Sequence, residues 1–187
     1  RVLRAMATIP REEFLAPRMR PHAYEDRALA IECGQTISQP LVVALMAQAA
    51  APQPDDIALE VGTGSGYAAA VLSRLCRRVV SIEREPALAE HASATLKRQA
   101  IDNVEVAVGD GSLGWAAHAP YDVILVAAAA GEVPPALLEQ LGDRGRMVIP
   151  VVVAREEPQD LRVYERHGGH VSYRSLFPVL FVPLRTG

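Results

Sequence analysis

The sequence predicts an α/β fold: a doubly wound, mostly parallel sheet that ends in an antiparallel hairpin. Three observations predict it. From residue 57 onward, short apolar runs alternate with helix-like segments, the pattern of βαβ units. The strand-like runs are almost continuously apolar, as strands covered on both faces are. Near the end, Gly168-Gly169 separates two strand-like runs, which reads as a hairpin turn.

Taken in order, Val2 to Met6 reads as a short helix, and Pro10 and Pro17 break up the next stretch. Residues 21–40 carry polar groups and close on Gly34-Gln35-Thr36-Ile37-Ser38-Gln39-Pro40, which suggests an ordered loop. Leu41 to Ala51 is an apolar helix with Pro40 in its first turn and Thr36 or Ser38 as a candidate cap. Ile57–Val61 is a first buried strand, Gly62–Gly66 a tight loop, and Tyr67–Cys76 an Ala-rich helix. Strands follow at 79–83, 104–108, 121–126 and 146–153, with helices at 86–99 and 134–141. The hairpin spans 161–166 and 171–176, and Phe181–Leu184 is expected to close the sheet.

With 187 residues, the chain is read as one domain, 1–187, because domains run roughly 100–200 residues. Within it, 41–187 forms the sheet and 1–40 is placed to act as a lid over a substrate. Half the residues are hydrophobic, enough for a full core, and 22% are charged, which excludes a disordered chain. A net charge of −3 gives no basic face for nucleic acid. No apolar run approaches the roughly 18 residues of a membrane span. Cys33 and Cys76 form no C-x-x-C pair, which disfavours a disulfide scaffold and suits a reducing cytoplasm. The five histidines show no ligand spacing, so no metal is expected. The chain opens on Arg1 and not on Met, so its natural N-terminus is expected upstream.

The strongest local signal is Glu60-Val61-Gly62-Thr63-Gly64-Ser65-Gly66-Tyr67, set between a strand and a helix. Alternating glycines allow a sharp turn and a close approach to a ligand, and the helix start offers unpaired N–H groups. Glu83 ends the next strand, where an acid accepts hydrogen bonds from ribose hydroxyls. The G-x-G-x-G spacing departs from the G-x-G-x-x-G of dinucleotide sites. Glu60 puts an acid near the ligand, which suits a cationic amino-acid group better than a diphosphate. Asp110, before Gly111, ends the third strand and could meet an adenine amine. Acids after three successive strands point to S-adenosylmethionine.

With these motifs in view, the chain resembles the protein-L-isoaspartate O-methyltransferases along nearly its whole length. Pro10-Arg11-Glu12-Glu13-Phe14 matches the family's PREEF segment and Tyr24-Glu25-Asp26-Arg27 its YEDR. Gly34 to Pro40 matches GQTISQP, a motif that ordinary methyltransferases lack. Gly62–Tyr67, Ser81-Ile82-Glu83-Arg84, Gly109-Asp110-Gly111 and Phe181-Val182-Pro183-Leu184 follow the pattern too. The sequence departs from it at Ala28, Ala30, Ala127, Gly131, Val152 and Leu180, away from the cofactor loop.

The resemblance implies a Rossmann-like methyltransferase fold. It implies methyl transfer from S-adenosylmethionine to the free carboxylate of L-isoaspartyl residues in damaged proteins and peptides. The ester then cyclises to a succinimide that can reopen to aspartate. It also implies Ser38 as the catalytic residue, with Gln35, Thr36 and Gln39 beside it on the substrate. Glu60, Gly62, Thr63, Gly64, Ser65, Gly66, Glu83, Asp110 and Gly111 would hold the cofactor. A carboxylate is already ionised at neutral pH, so no strong base is required; His118 is expected on a surface loop, Trp115 in packing and Cys76 buried and inert. A cytoplasmic monomer is expected. Three other readings stand beside this one: a related carboxyl methyltransferase acting on aspartate in one peptide or protein, an NAD-dependent oxidoreductase, and a cofactor-binding module without catalysis.

Overall fold

The computed structural model describes residues 1–154 and 158–187. The chain opens with α1 (Val2–Ala7) and two 3-10 turns, Arg11–Phe14 and Pro17–His22. A small antiparallel pair comes next, β1 (Leu29–Ala30) and β2 (Thr36–Ile37), then α2 (Pro40–Ala50). The main run is β3 (Ile57–Val61), α3 (Tyr67–Ser73), β4 (Arg78–Glu83), α4 (Pro86–Arg98), β5 (Val104–Val108) and β6 (Tyr121–Val126). It ends with α5 (Pro135–Gln140), β7 (Leu141–Val151), β8 (Gln159–His167) and β9 (His170–Val179).

The seven-stranded sheet has the order β5-β4-β3-β6-β7-β8-β9. Its first five strands are parallel, and β8 and β9 are added antiparallel through the Gly168-Gly169 turn. The α/β class and the closing hairpin agree with the sequence reading. From β3 the chain winds outward to β4 and β5, then returns to β6 on the other side. This reversal opens a crevice at the C-terminal ends of β3 and β6, where such sheets take ligands.

Alternation along the strands divides the core in two. Ala58, Val79, Val123 and Leu125 face a layer that includes α2, α3 and the N-terminal residues Ile9, Phe14 and Leu29. Leu59, Val80, Ile124 and Met147 face the opposite layer with Leu137 of α5. In α2 the buried positions are Val43, Met46, Ala47 and Ala50, the i, i+3, i+4, i+7 stripe of a helix on a sheet.

Several details differ from expectation. Neither Thr36 nor Ser38 caps α2. The cap position is Gln39, with no side-chain cap bond, and the Leu41 N–H donates instead to Asp26 Oδ1 (3.1 Å). Asp26 also accepts from Gln39 Nε2 (2.9 Å), so a carboxylate from far upstream satisfies this helix start. Helix α3 stops at Ser73, three residues early. Asn103 Nδ2 donates to the carbonyls of Ser73 (3.0 Å) and Cys76 (3.3 Å) and ties off that end. The last sheet strand before the hairpin starts at Leu141, not Arg146. Phe181–Leu184 adds no strand. It makes one bridge, Pro183 to Ala129, held by Ala129 N–H to Val182 O and Leu184 N–H to Ala129 O (both 2.8 Å).

The N-terminal segment is fastened by Arg11, which is 1% exposed. Its Nε donates to Ala23 O (2.7 Å) and its Nη2 to Ser38 O (2.9 Å). The guanidinium lies 4.8 Å over the Tyr67 ring, and Phe14 meets that ring edge-on at 5.7 Å. One side chain therefore joins the 3-10 turn, the 35–39 segment and the first residue of α3. Arg11→Met leaves two carbonyls without donors and removes the cation over the ring, at about 1–3 kcal/mol for each unsatisfied buried group. The expected outcome is a loss of about 2–4 kcal/mol in chemical denaturation, with faster amide exchange concentrated at residues 35–39. Unchanged exchange there would contradict the fastening role.

Candidate active site

A cavity of about 530 Å³ opens at the crevice. Its walls are the 35–39 segment, the 62–65 loop, the C-terminal ends of β3 and β4, and the 177–185 stretch. A volume of this size is that of a small-molecule site.

The loop is shaped by backbone before side chains. Gly64 sits at φ +52°, a region costly for any residue with a Cβ. Its N–H donates to Glu83 Oε2 (2.8 Å), while the Glu85 N–H donates to Glu83 Oε1 (3.1 Å). Glu83 is thus a buried carboxylate pinned by two amides at the end of β4, facing the cavity. Gly111 is required for packing: a Cβ there would clash with Val61 Cγ1.

Glu60 lines the cavity from the end of β3 and is 1% exposed. Ser81 Oγ donates to its Oε2, but its Oε1 is buried and has no partner. Burial pushes this carboxyl up to about 8; the Ser81 hydroxyl pulls it down and the nearby Glu83 pushes it up further. A buried carboxyl oxygen left without a partner is suited to a group brought by a ligand.

Of the residues singled out from sequence, Gln35, Thr36, Ser38, Gln39, Glu60, Gly62, Thr63, Gly64, Ser65, Glu83 and Gly111 all line this one cavity. Gly66 and Asp110 do not. Gly66 starts α3 at φ +87° with Ala92 of α4 behind it. Asp110 accepts from Ser112 N (2.9 Å), Ser112 Oγ (2.6 Å) and Gly187 N (2.7 Å); the Ser112 hydroxyl is the main cause holding it below the usual carboxylate range. His118 lies outside the cavity, against Glu105 (3.3 Å) and Arg78 (3.2 Å). Cys76 is buried and its thiol is pushed up to about 12 by burial. Trp115 packs on the second core.

Four features were not anticipated from sequence: Arg11 behind Ser38, Asp26 under Gln39, Ser81 beside Glu60, and the 177–185 wall. Ser81 carries a readable signal, as a lone hydroxyl inside an otherwise apolar strand. The wall includes Leu180, which is 81% exposed at the cavity mouth. Among the described residues no helix is long and apolar enough to cross a membrane, and no cluster of ligating side chains suits a metal.

Comparison with known proteins places this geometry. The family described as protein-L-isoaspartate(D-aspartate) O-methyltransferase matches residues 1–187. The protein-L-isoaspartate O-methyltransferase of Protochlamydia amoebophila is 53% identical over 184 residues, 98% of this chain and 88% of that protein. That of Parvibaculum lavamentivorans is 51% identical over 189 residues, 100% of this chain and 85% of the other. A solved protein-L-isoaspartate O-methyltransferase superposes with a TM-score of 0.90 at 31% identity; the match covers 99% of this chain and 61% of that one. A structure from Plasmodium falciparum assigned to the same activity, in complex with S-adenosyl-L-homocysteine, gives 0.85 at 25% identity, over 98% of this chain and 89% of that one.

The raised Glu60 carboxyl has a consequence for the free protein. An acid whose folded value lies above its unfolded value, here about 8 against 4.5, favours folding fully only at low pH. That contribution is lost as pH rises from about 4.5 through about 8. The unfolding free energy of the native chain, less that of Glu60→Gln, is expected to fall by a few kcal/mol across this window. Parallel denaturation series of both proteins read it directly. A flat difference would mean that Glu60 is ionised in the free protein.

Proposed function

The chain belongs to the protein-L-isoaspartate(D-aspartate) O-methyltransferase family, and from that premise we propose that it methylates the free carboxylate of L-isoaspartyl residues in damaged proteins and peptides, with S-adenosylmethionine as donor. The observation that carries this reading is the convergence of the 35–39 segment and the glycine loop on one cavity, which Ser38 and residues 62–65 both line.

The residues present suit the cofactor. Glu60 Oε1 is free for an ammonium, Glu83 offers a fixed carboxylate for ribose hydroxyls, and residues 62–65 give a close backbone approach. Asp110 and Gly111, after β5, are assigned to the adenine end, Gly111 as wall and Asp110 as support for the turn at 111–113. When bound, the cofactor supplies an electrophilic methyl on a sulfonium.

The chain's own work is alignment. The substrate carboxylate arrives ionised and needs no base. Ser38 Oγ donates to one carboxylate oxygen and turns the other toward the methyl. Gln35 and Gln39 hold the flanking peptide groups. Gln39 is itself steadied by Asp26, which binds its amide nitrogen and leaves its carbonyl oxygen for the substrate. Thr36 supports the loop through β2, paired with Ala30. Residues 1–40 thus serve as the substrate segment. Positioning of two reactants can supply several kcal/mol of a barrier, and roughly a 1 Å misplacement can cost about 100-fold. A monomer in a reducing cytoplasm completes this reading, the compartment suited by the two free cysteines, Cys33 and Cys76.

The test is a paired assay with labelled cofactor, using an isoaspartyl peptide and the same peptide with L-aspartate. The isoaspartyl main chain runs through the side-chain carbon, so its carboxylate arm is one methylene shorter. Backbone-held recognition is expected to favour it by about 100-fold or more. Equal rates, or activity only on aspartate within one sequence, would replace this reading with the specialised carboxyl methyltransferase. For Ser38→Ala, the cofactor dissociation constant is expected to stay nearly unchanged and turnover to drop about 10–150-fold, the cost of one charge-assisted hydrogen bond. Full activity in that variant would remove Ser38 from the reaction.

A further inference from the structure

Ser81 is fully buried in β4, flanked by Val80 and Ile82 in an apolar strand. It stands in register beside Glu60 on the adjacent β3. Its hydroxyl donates to Glu60 Oε2, and Thr63 Oγ1 lies 2.5 Å from Ser81 Oγ. Ser81 has one proton to give, and Glu60 takes it, so Thr63 is the donor to Ser81. A directed chain therefore runs from the glycine loop through β4 to one oxygen of Glu60. The other oxygen, Oε1, is buried and unpartnered, on a residue that lines the cavity. Leaving a buried carboxyl oxygen without a partner is unfavourable in the free protein, whether or not it carries the proton, and a ligand group bonded to it removes that cost.

We propose that Thr63 and Ser81 are positioning residues for the cofactor's α-ammonium: they hold Glu60 by Oε2 and present Oε1 to the cavity as the ammonium's acceptor. This rests on the cofactor reading above and goes beyond it by assigning the pair that sets which oxygen is free. The charges around Glu60 give the arrangement a pH signature. Glu83, on β4, repels a second negative charge, and Arg84 is engaged with the Gly187 carbonyl (3.1 Å). From α3 come the Ala69 amide and Tyr67, whose ring faces Arg11; from β6 comes uncharged Leu125, and α2 carries no charged residue. In the free protein burial and Glu83 favour the neutral acid, with the proton on Oε1 while Oε2 accepts from Ser81. When the ammonium arrives, the carboxyl proton leaves to solvent and an ammonium–carboxylate pair forms, so one proton is released for each cofactor bound.

The test is calorimetric titration of S-adenosylhomocysteine, which keeps the α-ammonium, into the full chain from about pH 5.5 to about pH 8.5 in two buffers of different ionisation enthalpy. Affinity is expected to rise close to tenfold per pH unit at the acid end and to flatten near about 8. Proton release should approach one per site in the acid half of the range. Ser81→Ala and Thr63→Val are expected to weaken binding about tenfold near pH 7 and to move the flattening point upward, because the first removes the carboxylate's donor and the second the hydroxyl that orients it. Thr63→Ser keeps the hydroxyl and should restore both the affinity and the position of the break, even where Ser81→Ala is too unstable to titrate. Affinity independent of pH in the native chain would overturn the proposal. So would variants that lose affinity equally at every pH, the mark of a merely structural role. If the native chain binds no S-adenosylhomocysteine at any pH, the cofactor reading itself falls, and the positioning role with it.

Discussion

Arg11 carries a positive charge into the interior and spends it on neutral partners: two main-chain carbonyls and the face of Tyr67. Burial lowers its affinity for a proton, yet an arginine remains charged in proteins, so the surroundings must answer that charge. The answer comes from three places that are remote in sequence. Ala23 belongs to the N-terminal segment, Ser38 to the substrate loop, and Tyr67 to the helix after the glycine loop. Holding them around one rigid, planar donor fixes the distance between the residue assigned to the substrate carboxylate and the loop assigned to the cofactor. A reaction that depends on alignment depends on that distance.

On the cofactor side the design is the reverse. Two acids, Glu60 and Glu83, are buried at the ends of adjacent strands with no neighbouring cation among the described residues, and burial together with Glu83 favours the neutral form of Glu60. Glu83 is satisfied by amides of the loop and of Glu85. Glu60 is only half satisfied. A carboxyl oxygen without a partner is thus left in the free protein, where a cationic amino-acid moiety would replace its proton. The sheet makes this possible, because parallel strands deliver Glu60 and Ser81 in register and place both acids at the crevice beside β6.

The parts of the fold that were legible in the sequence are those written in local chemistry. Apolar runs and glycine spacing identified β3 to β6 and the loop between β3 and α3, and Gly168-Gly169 marked the hairpin. What was hidden depends on partners distant along the chain. Ser38 looked like a helix cap because local preference favours serine there, but Asp26, fifteen positions before Leu41, takes that role. The Ala-rich run after Tyr67 has no internal stop, and Asn103 supplies one from beyond the next helix. Phe181–Leu184 has strand composition but pairs in strand fashion at a single bridge, Pro183 to Ala129 in the loop after β6, because β9 already forms the sheet edge. Arg11 lay within the Pro10–Phe14 motif, yet an arginine is expected outside a core, and nothing in the sequence signals that Tyr67 would lie beneath it.

The central claim is that this chain promotes methyl transfer by alignment, with no group acting as a base. Single-turnover rates at saturating cofactor and isoaspartyl peptide, measured from about pH 6 to about pH 9, test it most directly. Saturation removes the proton linkage of cofactor binding, and the substrate carboxylate is ionised throughout. The rate is therefore predicted to be level across the range. A limb that rises through a group titrating near neutrality would show that the chain must lose a proton before the methyl can move, and would contradict the account.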